Sequence, residues 1–209
     1  MKAKSQIIYE ELCKESKHLG MDKCYYLAVM GMSRTLCLCP KLSQYNYLQD
    51  LDKLYKFIHE NTKEVFGHKQ IYRGYDNIQL IFDNFSNHED EGIYYETQDI
   101  QEAAFKSGLY EFLETWYAFL GLIKNSLEKY TSDKMVSFIT LPVRYLDAYL
   151  LEYYSKSFDE EQLQDFVNNH KIIDNEIKRI SSDIRQVING GHEALYEKAC
   201  MYSMIDILK

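Results

Sequence analysis

The sequence predicts an all-α protein: a single domain over residues 1–209, folded as an antiparallel bundle of about seven or eight helices. Three observations lead there. Apolar residues recur at spacings of three and four through most of the chain. Only 2 prolines and 9 glycines punctuate its 209 residues, which leaves room for long uninterrupted elements. No apolar–polar alternation closed by hairpin turns competes with that pattern. The length suits one well-buried core, and no helical-repeat period is visible.

The elements follow in order. Ile8, Leu12 and Leu19 make a loosely amphipathic opening helix that is expected to stop near Gly20. Asp22 is the expected cap of a second helix carrying Tyr25, Val29, Met32 and Leu36, which ends before Pro40. A third, from Ser43, spaces Leu48, Leu51, Leu54, Tyr55, Ile58, Val65 and Phe66 before Gly67, and a short one covers Asp76 to Phe85. Asp99 and Glu102 then resemble a capping box, opening the most apolar helix, Ala103 to Tyr130. Ala104 and Gly108, four apart, would let a neighbouring backbone come close. The next helix includes "FITLPVRYLDAYLLEYY", which Pro142 either starts or kinks.

The clearest period comes near the end. Leu163, Phe166, His170, Ile173, Ile177, Ile180, Ile184 and Val187 alternate spacings of three and four. Ser157-x-x-Glu160 is the expected opening of this seam and "NGG" at 189–191 its close. The seam favours an antiparallel pair inside the bundle, with a homodimer seam as the alternative. A last helix carries Leu195, Ala199, Tyr202, Ile205 and Leu208.

Composition narrows the function. The opening "MKAKSQIIYEELCKES" lacks the apolar run of a signal peptide, and no segment reaches the ~18 apolar residues of a membrane span. Five cysteines are an odd number, and Cys13, Cys24 and Cys200 sit in apolar helix-like contexts. That reads as reduced thiols in a cytoplasmic protein. "LCLCPKL" pairs Cys37 with Cys39, but no second Cys/His pair completes a zinc set, and a helix running into Pro40 is the plainer account.

The familiar catalytic patterns are missing. "IHENTKEVFGH" has Lys63 where a zinc helix needs its second histidine. A di-iron bundle needs Glu-x-x-His on two helices, and the chain does not repeat it. His192 and Glu193 are adjacent, so they do not share a helix face. His170 interrupts the apolar seam, where a histidine is most often a hydrogen-bonded core or boundary residue. No glycine-rich phosphate loop or nucleophile elbow is present. The expectation is therefore no catalytic residue, no metal and no cofactor. With 24 basic against 32 acidic residues, direct nucleic-acid binding is not expected either.

The charge is unevenly placed. Between Arg73 and Lys106 stand Asp76, Asp83, Glu89, Asp90, Glu91, Glu96, Asp99 and Glu102, with no lysine or arginine. The remaining residues carry 24 acids and 24 bases, so the formal charge of −8 originates in this one segment. Clustered charge of one sign steers an opposite partner and raises its association rate. Tyr94 and Tyr95 lie inside the window and Tyr72 and Tyr75 at its edge, and tyrosine is a frequent interface anchor. A plainer account makes Asp99 a cap, residues 89–91 a solvated loop and the tyrosines core staples. A second set, Tyr145, Tyr149 and Tyr153, is expected to edge the core beside Leu146 and Leu150.

Three short motifs carry a resemblance. "MSRTLCLCP", "YLQDLDKLYKFI" and "TQDIQEAAFKSG" are similar to the YjaG-like bacterial all-helical family over roughly the first 130 residues. Pro40 stands farther from Arg34 here than in that family. In general character the chain also resembles the immunity proteins of bacterial toxin systems. That resemblance implies a non-enzymatic protein that binds and blocks a basic toxin domain, often a nuclease. Asp83, Glu89, Asp90, Glu91, Glu96, Asp99 and Glu102 would face the toxin's cations, with Tyr94 and Tyr95 as anchors. A helical enzyme with a scattered site, or a homodimeric scaffold, are the alternatives.

Overall fold

A computed structural model describes residues 2–38, 99, 100, 103, 104, 107, 108, 111, 115, 118 and 131–190. Among them no strand occurs and six helices are bounded: α1 Lys4–Ser16, α2 Met21–Leu38, α3 Ser132–Ile139, α4 Leu141–Tyr154, α5 Glu160–Asn168 and α6 Lys171–Ile188. The all-α class stands. The expected helices over 43–66, 76–85 and 195–208 lie outside the described residues.

Helix α1 has Ala3 at its N-cap, a side chain that cannot accept a hydrogen bond. Asn168, at the end of α5, supplies the missing acceptor. Its Oδ1 takes the Lys4 backbone N–H at 2.7 Å, and its Nδ2 donates to the Lys2 carbonyl at 3.1 Å. The Lys4 ammonium reaches the Asn168 carbonyl and the Asp174 carboxylate. The start of the chain is thus tied to the α5–α6 joint by groups that α1 itself leaves unsatisfied.

Helix α1 stops at Ser16, short of the expected Gly20. Gly20 instead sits just before α2, its carbonyl accepting the Cys24 N–H at 3.1 Å. Asp22 is therefore the second residue of α2 and not its cap, because the helix begins one residue earlier. The described part of α2 runs to Leu38, and the expected stop before Pro40 lies outside the described residues.

The buried side chains of α2 include Cys24, Leu27, Ala28, Met30, Arg34 and Thr35. The expected face at Tyr25, Val29, Met32 and Leu36 lies outside the described side chains. Gly31 lets α2 approach α3 closely: a Cβ there would stand 2.3 Å from the Phe138 carbonyl oxygen and 2.9 Å from that of Ile139. Only a residue without a side chain permits that contact.

The segment "FITLPVRYLDAYLLEYY" forms two helices, with the break at Thr140. Pro142 lies in the first turn of α4, where its missing N–H costs nothing. Thr140 closes α3 by donating from Oγ1 to the Val136 carbonyl at 2.8 Å. The seam expected over 163–187 is also divided. "NNH" at 168–170 ends α5, and His170 caps α6 by accepting the Ile172 N–H on Nδ1 at 3.3 Å. Asp159, not Ser157, opens α5, accepting the Gln162 N–H at 2.9 Å. Aspartate caps as well as serine does and stands directly at the helix start. Beyond α6, Gly190 takes a φ of 84°, the left-handed conformation expected of the "NGG" stop.

Helix α2 packs on α3, α4 and α6, α1 on α3 and α4, and α4 on α5 and α6. Leu27, Met30, Met135, Val136, Leu141, Val143, Ile173, Ile180 and Val187 form their common core. Burial of each large aliphatic side chain contributes about 1.5–3 kcal/mol. On α6 the seam positions Ile173, Ile180, Ile184 and Val187 are buried within this one chain. The described positions from 100 to 118 are helical, and Ala104 and Gly108 are buried. The close neighbour of Gly108 is the Tyr145 ring rather than a backbone, 2.8 Å from where a Cβ would stand.

Candidate functional site

Of the acidic window, only Asp99 belongs to the described residues. It is exposed just before the helical position 100, and its carbonyl accepts the Ala103 N–H at 2.9 Å. Asp83, Glu89, Asp90, Glu91, Tyr94, Tyr95, Glu96 and Glu102 lie outside the described residues. The described helices place three other polar or aromatic groupings.

The first is a buried ionic network between α2 and α6. Arg34, 4% exposed, donates from Nη1 to Glu176 at 2.9 Å and from Nη2 to Asp183. Glu176 also receives Arg179 at 3.2 Å, one turn along its own helix. Glu176 and Asp183 are seven apart on α6, so both carboxylates point at one guanidinium. Two helices are joined, and the charges are consumed in joining them.

The second lies where α1 and α4 meet the helix through 111 and 115. Arg144 donates to Glu111 at 2.6 Å, to the Thr115 hydroxyl at 2.8 Å and to the Ser137 carbonyl at 3.1 Å. Burial pushes the Arg144 pKa down, and Glu111 opposes that shift. One turn on, Asp147 accepts the Ser5 hydroxyl on Oδ2 at 2.8 Å, while its buried Oδ1 has no hydrogen-bond partner among the described residues. Burial raises the Asp147 pKa above the ordinary carboxylate value; Ser5 opposes the shift and Glu111 adds to it.

The third is aromatic and open to solvent. Phe158 and Phe166 stack at 4.8 Å with 23° between planes, and Tyr154 meets Phe166 edge-on at 4.7 Å. The His170 ring lies 5.5 Å from Phe166 at 67°. Phe158, Phe166 and His170, with Gln162, Asp165, Asn169 and Lys171, line a cleft of 560 Å³ along α5. The Nδ1 contact to Ile172 leaves Nε2 as the protonated nitrogen of neutral His170, and burial lowers its pKa below the ordinary value. His170 is thus a hydrogen-bonded boundary residue, at a helix cap rather than inside a helix. The Tyr145–Tyr149–Tyr153 stripe runs from core to surface: Tyr145 is 1% exposed, Tyr149 8%, and Tyr153 half-buried and stacked on Tyr149 at 6.0 Å.

Sequence reasoning assigned Phe166 and His170 to a seam and did not single out Phe158. "FDEEQLQDF", an acidic run between two phenylalanines, was the available signal. Arg34, Glu176 and Asp183 left none, since their partners are about 140 residues apart. Among the described residues, no group of three or more His, Cys, Asp or Glu is placed to hold a metal ion, and no helix is long and apolar enough to cross a membrane. No family model, curated protein or solved structure matches the chain.

Proposed function

We propose that this chain is a non-enzymatic acidic binding protein of the bacterial cytoplasm, an immunity protein that neutralises a basic toxin domain by covering its active surface. The observation that carries this reading is the segregation of charge. Eight acids and no lysine or arginine lie between Arg73 and Lys106, in a chain whose other charges balance. A nuclease presents cations to phosphate, so an acidic surface competes for the same groups. The described helices would belong to an antiparallel bundle of about seven or eight helices, acting as a preformed support. Internal pairing of Arg34, Glu176 and Asp183 is consistent with such a support, because their charges hold helices together and leave recognition to the surface. The YjaG-like resemblance belongs to this same reading.

The test begins with recovery of the partner from the native host by pull-down and mass spectrometry. Association is then timed against the Glu89→Gln, Asp90→Asn, Glu91→Gln, Glu96→Gln variant. Rim charges act mainly on the on-rate and are screened over about 10 Å at ~0.1 M salt. The variant is expected to associate more slowly, with a flatter salt dependence and an unchanged melting temperature. Tyr94→Ala or Tyr95→Ala should speed dissociation. Unchanged association at low salt overturns the reading.

A further inference from the structure

Helix α5 carries more exposed acid than its own structure uses. Asp159 caps the helix, and Glu160 and Glu161 occupy the first turn, where the helix dipole favours them. Asp165 lies beyond that turn. It lines the aromatic cleft, and its Oδ1 accepts the Asn169 side-chain amide at 3.2 Å. Its Oδ2 takes no hydrogen bond, and none of Glu160, Glu161 and Asp165 forms an ion pair, among the described residues.

The floor beside Asp165 is the stacked pair Phe158 and Phe166, with His170 at its far side. Ring faces are negative at their centres and attract cations, a guanidinium above all because it also stacks. At 560 Å³ the cleft has room for a long side chain laid along the rings. Asp165 and Lys171 are the two charged lining residues and balance each other, while outside the lining Asp159, Glu160 and Glu161 outnumber Lys156, so the surrounding charge favours a cation. An anion would meet only one lining base and the unpaired carboxylate edge. An apolar occupant would leave Asp165 Oδ2 without a partner.

We infer that the α5 cleft is a binding site for an arginine side chain of a basic protein segment, its guanidinium laid against the open outer face of the Phe158–Phe166 stack and paired with Asp165. The site deepens the proposed function, since it rests on a basic partner, but it lies on residues remote in sequence from the acidic window. It assigns recognition to two surfaces: the window steers, and the cleft anchors.

The test uses the full chain and a hexa-arginine peptide, with hexa-lysine, hexa-glutamate and a neutral aromatic peptide as comparisons, followed by nuclear magnetic resonance. Hexa-arginine is expected to shift the ring signals of Phe158, Phe166 and His170 and to bind more tightly than hexa-lysine. Asp165→Asn and Phe166→Leu should each weaken it roughly 5-fold or more. Phe158→Leu, on a half-buried ring, provides a third variant if Phe166→Leu does not fold. Hexa-arginine binding that survives all three variants, or that shifts other residues, overturns the inference. Preference for the glutamate or aromatic peptide does the same, as does a concentration-dependent mass abolished by Phe158→Leu, which would make the occupant a second copy. If hexa-arginine affinity falls only in the variant with amides at 89, 90, 91 and 96, the cleft fails while the acidic-binder reading stands. Loss of affinity confined to the cleft variants upholds the cleft as the anchor and leaves the window to be read by the association rate.

Discussion

Replacing Arg34 by methionine tests the central joint of the fold. The guanidinium is 4% exposed, makes a 2.9 Å bond to Glu176 and also holds Asp183, while both carboxylates are themselves buried. Methionine fills much of the same volume, so lost packing is minor and the exposed consequence is electrostatic. Glu176 keeps Arg179 at 3.2 Å, which limits the damage on that side. Removing one partner of a buried ion pair costs about 3–5 kcal/mol, mostly from the charges left behind. At roughly 2–4 °C per kcal/mol for a chain of this size, Arg34→Met should lower the melting point by on the order of 10 °C, read by calorimetry. The triple change Arg34→Met, Glu176→Leu, Asp183→Leu should recover much of that loss, since apolar replacement of a whole buried network is often neutral. A single variant that melts within about 2 °C of the parent would refute the reasoning, because the network would then be solvated.

Two further changes probe single contacts. Gly31→Ala gains roughly 1 kcal/mol of helix propensity but drives a Cβ to within 2.3 Å of the Phe138 carbonyl. Overpacking against backbone should win, for a net loss of about 1–2 kcal/mol at unchanged denaturant slope; a stabilised variant would show that α2 and α3 separate freely. Asp147 has a carboxyl raised above its ordinary value by burial, so its contribution is fully present below the ordinary carboxylate range and is lost as pH rises through the raised value. Asp147→Asn should therefore melt higher than the parent at pH 7, by about 1 kcal/mol, with the advantage shrinking toward pH 4. An equal or lower melting point at pH 7 would show that the amide is no better satisfied there than the carboxylate.

The sequence pattern was legible where a signal is local. Periodicity identified helices around Leu12, Leu146 and Ile180, and "NGG" placed the end of α6, while Pro142 signalled a start or a kink and the structure makes it a start. It failed where two local signals compete. The three-and-four spacing of Leu163 through Val187 runs unbroken across His170, because a short loop can preserve the phase of an apolar face. Only the polar "NNH" hints at the break, and asparagine and histidine are tolerated inside helices as well as at their ends. The capping aspartate lost to Ser157 for the same reason, two good caps lying within three residues. Long-range pairings were illegible in principle: nothing near Arg34 encodes Glu176 or Asp183, and nothing near Ser5 encodes Asp147.

The distribution of charge within the described helices separates structural acids from the rest. Glu176 and Asp183 neutralise Arg34, Glu111 neutralises Arg144, and Asp174 takes Lys4, each tying one helix to another. Asp159 caps α5, and Glu160 and Glu161 complement its dipole. Asp165 fits none of these roles. It lies too far from the helix start for the dipole, pairs with no cation among the described residues, and borders half-buried aromatic rings. An acid in that position gains little for folding, since its one side-chain bond, to Asn169, is exposed. Stability gives little reason to keep a carboxylate beside an open aromatic cleft, whereas recognition of a cation gives a direct one.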